Sequence, residues 1–333
     1  MVNGEALLPA GERYEVLKTL GQGAYGIVAL ARDRELIEKV AIKFISRTEV
    51  AKHVKHVRRE VVNHSSLLHP HVIGFKRCIL TDKYLGIVME YASGGNLFDH
   101  VSKGKGLSEK DARWFFKQLM LALDYCHKMG VSNRDVKLEN TLLESQLGRR
   151  PMLKLCDFGL SINEGQSVAK SMEVGTPGYC APELLMRTNL TTSYDGKKAD
   201  VWSSGVMLYT MLCCQYPFDD ALDAKLSEKS AQMRFRQRAL QGKYSFPSHV
   251  ALSGEAKDLI SRMLKDKPLV NLDEVNAAYL KLSRTASTEE SMRLLDSISH
   301  DGSRPSWASA AGYHPEDGDE FGHLVDEIED EEL

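Results

Sequence analysis

The chain contains one short segment in which acidic, basic and amide side chains are closely spaced. Asp135, Lys137 and Asn140 lie within V-S-N-R-D-V-K-L-E-N, which ends at Asn140. At this spacing an aspartate can accept the proton of an attacking hydroxyl, a lysine can steady a phosphate, and an asparagine can hold Mg2+. Asp157 opens a D-F-G triplet and adds a carboxylate that could chelate Mg2+. Together these residue types indicate phosphoryl transfer.

A glycine-rich segment and a lysine would hold the polyphosphate. In G-Q-G-A-Y-G-I-V, Gly21, Gly23 and Gly26 would let a hairpin backbone approach phosphates without Cβ clashes. Lys43 ends V-A-I-K in the next strand-like run, where its ammonium could hold two phosphates, with Glu60 as the anion that fixes it. A dinucleotide-binding fold would need a helix directly after the glycines, and the strand-like run that follows disfavours it.

Composition indicates a soluble globular protein with one large or two modest domains. The chain has 333 residues, of which 43% are hydrophobic and 27% charged, and no apolar run is long enough to span a membrane. We expect no secretory signal, because the first residues lack a basic flank followed by an apolar core. Six cysteines without a C-x-x-C pair predict neither a disulfide framework nor a zinc site, and a cytoplasmic or nuclear location is expected.

The net charge of −3 conceals an asymmetry along the chain. Residues 315–333 hold ten of the 46 acidic residues and no Lys or Arg, so the rest has 36 acids against 43 bases, a net charge of +7. Acidic tails of this kind are commonly disordered interaction segments, although a merely solubilising tail is an equal alternative.

The elements that must position these residues change in character along the chain. Short runs rich in β-branched and aromatic residues predict strands in the first part, with one helix between them. After S-G-G at 93–95, apolar residues recur at helical spacing. The pattern predicts a small β-rich lobe and a larger helical lobe separated by a glycine hinge and a cleft. The predicted strands are 14–20, 27–31, 40–45 and 85–90, and the predicted helices are 50–68, 114–129 and one around 206–214.

Two further motifs complete a set that resembles a known family. G-T-P-G-Y-C-A-P-E occupies 175–183 and A-D-V-W-S-S-G-V occupies 199–206, in order after the segments above. The region from Tyr14 to Leu264 resembles the eukaryotic protein kinases, and Lys137 with G-T-P-G-Y resembles their serine/threonine branch. N-H-S-S-L-L-H-P-H, M-E-Y-A-S-G-G and L-E-N-T-L-L resemble the sucrose-non-fermenting-related kinases of green plants, especially the osmotic-stress and abscisic-acid-responsive subfamily.

This resemblance implies an α+β fold of two lobes, with ATP as the phosphate donor and Mg2+ as the cofactor. The N-lobe is expected to be a small antiparallel sheet with one regulatory helix, and the C-lobe larger and mainly helical. An N-terminal extension would cover 1–13. The kinase domain would cover 14–272, divided into 14–91 and 95–272, with an atypical end. A Ser/Thr-rich linker at 273–314 and an acidic tail at 315–333 would follow.

The resemblance also assigns roles to individual residues. The catalytic set is Asp135, Lys137, Lys43, Glu60 and Thr176, of which Thr176 would hydrogen-bond the Asp135–Lys137 pair. Asn140 and Asp157 would hold Mg2+, and Glu139 would favour a substrate with a basic residue three positions before the target hydroxyl. Arg134 would read a phosphate on Ser171 or, second, Ser167. The nucleotide-binding residues would be Leu20, Gly21, Gly23, Tyr25, Gly26, Val28, Ala41, Lys43, Met89 as gatekeeper, the backbone of Glu90 and Ala92, and Leu142.

Regulation and partners follow from the same resemblance. T-E-E-S-M-R-L-L-D-S-I at 288–298 resembles the subfamily's regulatory helix, which would pack beside the Glu60 helix; an ordinary surface helix is the alternative. Expected partners are protein substrates, type 2C protein phosphatases and an upstream activating kinase. Nucleic acid and membranes are not expected partners, and the chain is expected to be a monomer.

Three residues depart from the family pattern. Asn96 replaces an acid that many relatives use near the Glu139 position, so a weaker preference for a basic residue in the substrate is expected. Asn133 stands where the resemblance implies a histidine that packs under the D-F-G phenylalanine and helps to hold the catalytic loop to Asp200, so we expect a looser stack at a cost of about 1–3 kcal/mol. Asn271 stands where an arginine partner of Glu183 is expected, and its loss would leave a buried carboxylate unpaired, at about 3–5 kcal/mol.

The leading hypothesis is an active serine/threonine kinase, because all groups that would touch phosphate, metal or proton are present. The alternative is a nucleotide-binding pseudokinase or scaffold that acts through its acidic tail. A kinase of small molecules is a third hypothesis, which G-T-P-G-Y disfavours because it resembles a peptide-docking loop.

Overall fold

A computed structural model of the chain describes residues 7–8, 11–23, 26–145, 147–163, 177–185 and 194–265. Its N-terminal lobe is a five-stranded antiparallel sheet in the order β1-β2-β3-β5-β4. Strands β1, β2 and β3 are longer than predicted, because each also includes residues of the glycine-rich or charged turns next to it. The strands are β1 Tyr14–Gly23, β2 Gly26–Asp33, β3 Glu38–Ser46, β4 Phe75–Leu80 and β5 Tyr84–Glu90.

The two faces of this sheet bury separate apolar clusters. One cluster joins Val40, Ile42 and Phe44 to Leu7 from the N-terminal extension. The other contains Ile45 and Leu85 and packs under the helices that follow β3. Strand side chains alternate between opposite faces, so adjacent residues such as Phe44 and Ile45 serve different clusters.

The helical segment predicted at 50–68 consists of two helices. The first is α1 (Arg47–Lys52) and the second is α2 (Val54–Ser65), with a break at His53, whose φ of −129° and ψ of 28° are not helical. Ser46 caps α1 by accepting the backbone N–H of Glu49. Strand β4 was not predicted, because the exposed Lys76 and Arg77 interrupt its run of apolar residues.

The connection between the lobes is fixed by the predicted glycine pair. Gly94 donates its backbone N–H to the oxygen of Leu143 over 2.6 Å, and Leu143 donates to Gly95 over 2.8 Å. A Cβ on Gly94 would lie 2.7 Å from the Leu143 oxygen, and Gly95 has a φ of +76°. These glycines therefore let the linker lie directly against the C-terminal lobe.

The C-terminal lobe is mainly helical, as predicted, and its helix α6 is buried along almost its whole length. The 206–214 prediction belongs to this helix, which Asp195 caps. None of the helices in the described ranges is long and apolar enough to cross a membrane. The helices are α3 Leu97–Gly104, α4 Glu109–Lys128, α5 Pro182–Leu185, α6 Gly196–Cys213, α7 Glu228–Leu240 and α8 Gly254–Met263; the short strands are β6 Val131–Ser132, β7 Thr141–Glu144, β8 Met152–Leu155 and β9 Ile162–Asn163.

Candidate active site

A buried ion pair links the sheet to α2. Lys43 on β3 donates from Nζ to Glu60 Oε1 over 2.5 Å, and the same nitrogen lies 3.9 Å from Asp157 Oδ1. Burial opposes the charge on the ammonium, but the two carboxylates outweigh it and raise the pKa of Lys43. Lys43 is therefore a cation held over the cleft, as the sequence predicted.

The glycine-rich segment depends most on Gly26. A Cβ at this position would lie 2.1 Å from the backbone oxygen of Phe44, and the φ of Gly26 is +155°. Gly21 and Gly23 have open space where a Cβ would stand. Gly26 thus permits β2 to lie close to β3, whereas the other two leave room above the cleft.

Strand register places three of the residues predicted for a purine, Val28, Ala41 and Met89, on neighbouring strands of the sheet. Ala41 pairs with Leu30 and with Met89, and Val28 pairs with Gly21 and Lys43. In the other lobe, Leu142 lies on β7 and forms a bridge with Asn96. Leu20 is 41% exposed, whereas Ala41 and Ala92 are each 7% exposed.

Of the two backbone groups of Glu90, only the carbonyl is available to hydrogen-bond a purine. The N–H of Glu90 donates to the Gly74 oxygen over 2.8 Å, so its carbonyl is the group that could accept from an amino group. The side chain is bound to Lys154 over 2.6 Å and to the Gly74 N–H over 3.0 Å. Glu90 therefore faces the cleft with its backbone and fastens the linker with its carboxylate.

In the catalytic loop, one carboxylate is held by two donors. Asp135 Oδ2 accepts from Lys137 Nζ and from Asn140 Nδ2, both over 2.7 Å. Asn140 Nδ2 also lies 3.1 Å from the Asp135 backbone oxygen. Because the amide nitrogen is used on Asp135, the Oδ1 of Asn140 is the atom that could ligate a metal, which fits the predicted role.

Asp200 on α6 holds the backbone at the start of this loop. Its two carboxylate oxygens accept the N–H of Arg134 over 2.7 Å and the N–H of Asn133 over 2.9 Å. His127 Nε2 lies 2.7 Å from Asp200 Oδ2, and the carboxylate is fully buried. The expected backbone attachment of the loop to Asp200 is present.

Asp157 has a left-handed backbone, with a φ of +63°. Asn133 Nδ2 donates to its backbone oxygen over 3.0 Å, while Asn133 Oδ1 accepts the Asp135 N–H over 3.1 Å. The neighbouring Phe158 is buried and stacks on the ring of His64, with centroids 5.1 Å apart. Burial lowers the pKa of His64 to about 4, which favours the neutral ring. Nε2 lies 2.8 Å from the Ile73 oxygen, and because a carbonyl can only accept, Nε2 carries the proton and donates.

Arg134 lies in a group of cations. Its φ is +69°, its side chain is 7% exposed, and its guanidinium lies 5.3 Å from the ring centre of Tyr194. Burial lowers the pKa of Arg134, and the nearby Arg59 of α2 acts in the same direction. Burial, Arg59, His53 and Arg134 likewise lower the pKa of His56. This positive region fits the prediction that Arg134 reads a phosphate.

Glu139 and Asn96 differ in how their side chains are used. Glu139 Oε2 accepts from the Tyr179 hydroxyl over 3.3 Å, and the residue is half-buried. Asn96 Oδ1 accepts the backbone N–H of Asp99 over 2.8 Å and caps α3. Asn96 therefore has a structural use as a helix cap.

Several predicted residues lie outside the described residues: Tyr25, Thr176, Ser167, Ser171, Asn271, the helix at 288–298, the linker and the acidic tail. Glu183 is described, on α5. It is half-buried rather than buried, and it takes part in an interaction within the chain. Glu183 is therefore not the fully buried carboxylate that was expected, whereas the predicted loss of its arginine partner concerns Asn271, which lies outside the described residues.

The two lobes, the Lys43–Glu60 pair and the held carboxylate of Asp135 define a nucleotide-dependent phosphotransferase. The family model described as "protein kinase domain" matches residues 14–270, and the chain belongs to this family. It is a protein serine/threonine kinase that uses ATP and Mg2+ and acts on protein substrates.

Its relatives are plant kinases, which confirms the resemblance to the sucrose-non-fermenting-related group. Serine/threonine-protein kinase SAPK9 of Oryza sativa subsp. japonica is 46% identical over 258 residues, covering 78% of this chain and 68% of the relative. Serine/threonine-protein kinase SRK2G of Arabidopsis thaliana is 42% identical over 84% of this chain and 81% of its own length. SRK2E of the same plant is 44% identical over 80% of this chain and 71% of its own.

Sequence reasoning missed some residues that fix the site. Four buried polar residues act on the site directly or through one neighbour: His127 bonds Asp200, Asn63 bonds Ser161, Ser161 bonds the Phe158 oxygen, and His64 stacks on Phe158. A signal was present for α2, because Glu60, Asn63 and His64 recur at the spacing that puts side chains on one helix face. His127 and Ser161 gave no such signal.

Proposed function

We propose that Asp135 accepts the proton of a substrate serine or threonine as its oxygen attacks the γ-phosphorus of ATP. The bond from that phosphorus to the bridging oxygen breaks, and ADP leaves. The observation that carries this role is the Asp135 carboxylate, which Lys137 and Asn140 hold in one orientation over 2.7 Å. Lys43 would hold the α- and β-phosphates, and Lys137 would steady the γ-phosphate.

Asp157 and Asn140 are the residues that would hold Mg2+. Both offer an oxygen toward the cleft, and oxygen is the ligand that this cation prefers. A cation held there would neutralise charge on the transferred group. Asp157 Oδ1 lies 3.9 Å from Lys43 Nζ. A cation held by Asp157 would therefore lie close to the phosphates that Lys43 would hold.

The substrate would carry a basic residue three positions before the target. Glu139 supports this preference, because it lies in the catalytic loop four residues after Asp135 and its half-buried carboxylate accepts from the Tyr179 hydroxyl. Asn96 offers no negative charge there and is used as a helix cap, so Glu139 would carry the preference without a second acid from Asn96.

The regulation would be that of a stress-signalling kinase. An upstream kinase would phosphorylate Ser171 or Ser167, and Arg134 with Arg59 would attract the phosphate. Type 2C protein phosphatases would reverse the modification and bind the acidic tail. The protein would act as a monomer in the cytoplasm, the nucleus or both.

The test is transfer of radiolabelled phosphate from ATP to two peptides that differ in having Arg or Ala three positions before serine. Asp135→Asn is the control, because an amide cannot accept the proton. We expect transfer to the Arg peptide to exceed both the Ala peptide and the control. Equal rates for enzyme and control would overturn the role of Asp135. Equal rates on the two peptides would overturn the substrate preference.

A further inference from the structure

One face of α2 contacts the D-F-G segment through three residues. Glu60 lies against Gly159, where a Cβ would be 3.2 Å from Glu60 Oε2. Asn63 Nδ2 donates to Ser161 Oγ over 2.9 Å, and His64 stacks on Phe158. Residues at these spacings share a helix face, so the three contacts move together with the helix.

The contact of Asn63 continues to the backbone of the D-F-G segment. Ser161 Oγ donates to the Phe158 oxygen over 2.6 Å, and the Ser161 N–H donates to the same oxygen over 3.0 Å. A carbonyl can only accept, so the single hydroxyl proton of Ser161 goes to Phe158, and Ser161 Oγ accepts from Asn63. Asn63 and Ser161 are 1% and 0% exposed, which shields this chain of hydrogen bonds from water.

The backbone on which this chain acts is strained. Asp157 has a φ of +63°, a conformation that non-glycine residues adopt at a cost and keep only where their surroundings fix them. Asn133 fixes the carbonyl of Asp157, and Ser161 fixes the next carbonyl, that of Phe158. The conformation of the Mg2+ ligand is therefore held from the catalytic loop on one side and, through Ser161, from α2 on the other.

Packing alone does not account for an amide at position 63. Its Oδ1 is buried and has no hydrogen-bond partner among the residues that the structure describes. A buried acceptor without a partner is unfavourable, and an apolar side chain of similar size would avoid that penalty. The presence of an asparagine at position 63 is therefore explained by the hydrogen bond from its Nδ2 to Ser161.

We propose that Asn63 and Ser161 are positioning residues that couple the position of α2 to the conformation of Asp157. When α2 is in place, Lys43 is paired with Glu60 and Asp157 is set to hold Mg2+ through the same helix. When the bond between Asn63 and Ser161 is lost, α2 keeps its contacts at Gly159 and Phe158 but no longer holds the Phe158 carbonyl through Ser161, so Asp157 is set less firmly.

The test is a Mg2+ titration of the full chain at fixed ATP, read both as phosphate transfer and as the thermal shift that ATP produces. The variants are Asn63→Leu, Ser161→Ala and the double variant. The matched control is Ser66→Ala. It removes the hydrogen bond from the Ser66 hydroxyl to the backbone oxygen of Asn63 at the end of the same helix, and Ser66 makes no contact with the D-F-G segment in the hydrogen bonds described. We expect each single variant to need about fivefold more Mg2+, the effect of one ordinary hydrogen bond. The double variant should be no worse than the worse single variant, and the control should match the parent.

Asn63→Asp sharpens the test, because a carboxylate can only accept and competes with Phe158 for the Ser161 proton. It should raise the Mg2+ requirement at least as much as Asn63→Leu. Unchanged Mg2+ dependence in the single variants, or additive effects in the double variant, would overturn the proposal. So would a lower melting temperature with unchanged Mg2+ dependence. The thermal shift keeps the proposal testable even where no transfer is detected, an outcome that would count against the proposed catalytic function instead.

Discussion

Asn133 joins the two reacting parts of the site, because its Nδ2 donates to the backbone oxygen of Asp157 over 3.0 Å. Its Oδ1 also accepts the N–H of Asp135 over 3.1 Å. The family resemblance implies a ring at this place that braces Phe158 by packing. The asparagine instead braces the catalytic loop and the D-F-G backbone by hydrogen bonds, while Phe158 stacks on His64.

Asn133→Ala should lower kcat by roughly tenfold, because it removes two hydrogen bonds that position Asp135 and Asp157. Initial rates of peptide phosphorylation at saturating ATP would measure this. Asn133→His is the companion variant, whose ring should restore packing against Phe158 and raise the melting temperature. An alanine variant as active as the parent, or a histidine variant without higher stability, would contradict this account of Asn133.

Glu60→Gln should reduce both stability and kcat/KM. Removing one partner of a buried pair leaves the Lys43 ammonium with only the more distant Asp157 carboxylate, at a cost of about 3–5 kcal/mol. Urea unfolding and steady-state kinetics would measure the two effects. Glu49→Gln breaks the exposed pair with Lys52 and is the matched control, for which we expect little change. Equal decreases in stability and kcat/KM in the two variants would show that the buried Lys43–Glu60 pair contributes no more than an exposed pair.

Stability should fall as the pH falls from about 6.5 toward 4. Burial lowers the pKa of His64 and His71 to about 4 and that of His69 to about 3. In this range the unfolded chain binds protons that the folded chain does not, so acid favours unfolding. Above the unfolded pKa both states are neutral, and these residues add no pH dependence.

The measurement is the free energy of unfolding at several pH values. His71→Asn should flatten the decline, because one group with a lowered pKa is gone. His249→Asn is the control, because His249 is exposed. A slope that is the same in both variants would count against the contribution of His71.

Gly26→Ala should lower the melting temperature of the nucleotide-free protein by several degrees. Its Cβ would meet the Phe44 oxygen, and alanine is strained at the φ of Gly26, at a cost of about 1–3 kcal/mol. Gly23→Ala is the control, since nothing lies within 4 Å of a Cβ there. Differential scanning calorimetry would compare the melting temperatures of the two variants. Equal values would show that β2 can move away from the Phe44 oxygen of β3 without loss of stability.

The sequence by itself determined the class of protein and the residues that could touch phosphate, metal or proton. Asp135, Lys137, Asn140 and Asp157 could be selected because their chemistry depends on residue type and on short spacing, both of which a linear sequence displays. The two-lobe order followed from local periodicity, and the Lys43–Glu60 pair followed from a motif whose parts lie close in the chain.

The tertiary structure alone decided what holds those residues in place. Asn63 reaches Ser161 across 98 positions, and His127 reaches Asp200 across 73. Such partners are set by how helices pack over distant segments, which no local pattern reports. The same reason explains the errors: the break at His53 and the half-buried position of Glu183 depend on neighbours that the chain supplies only after folding.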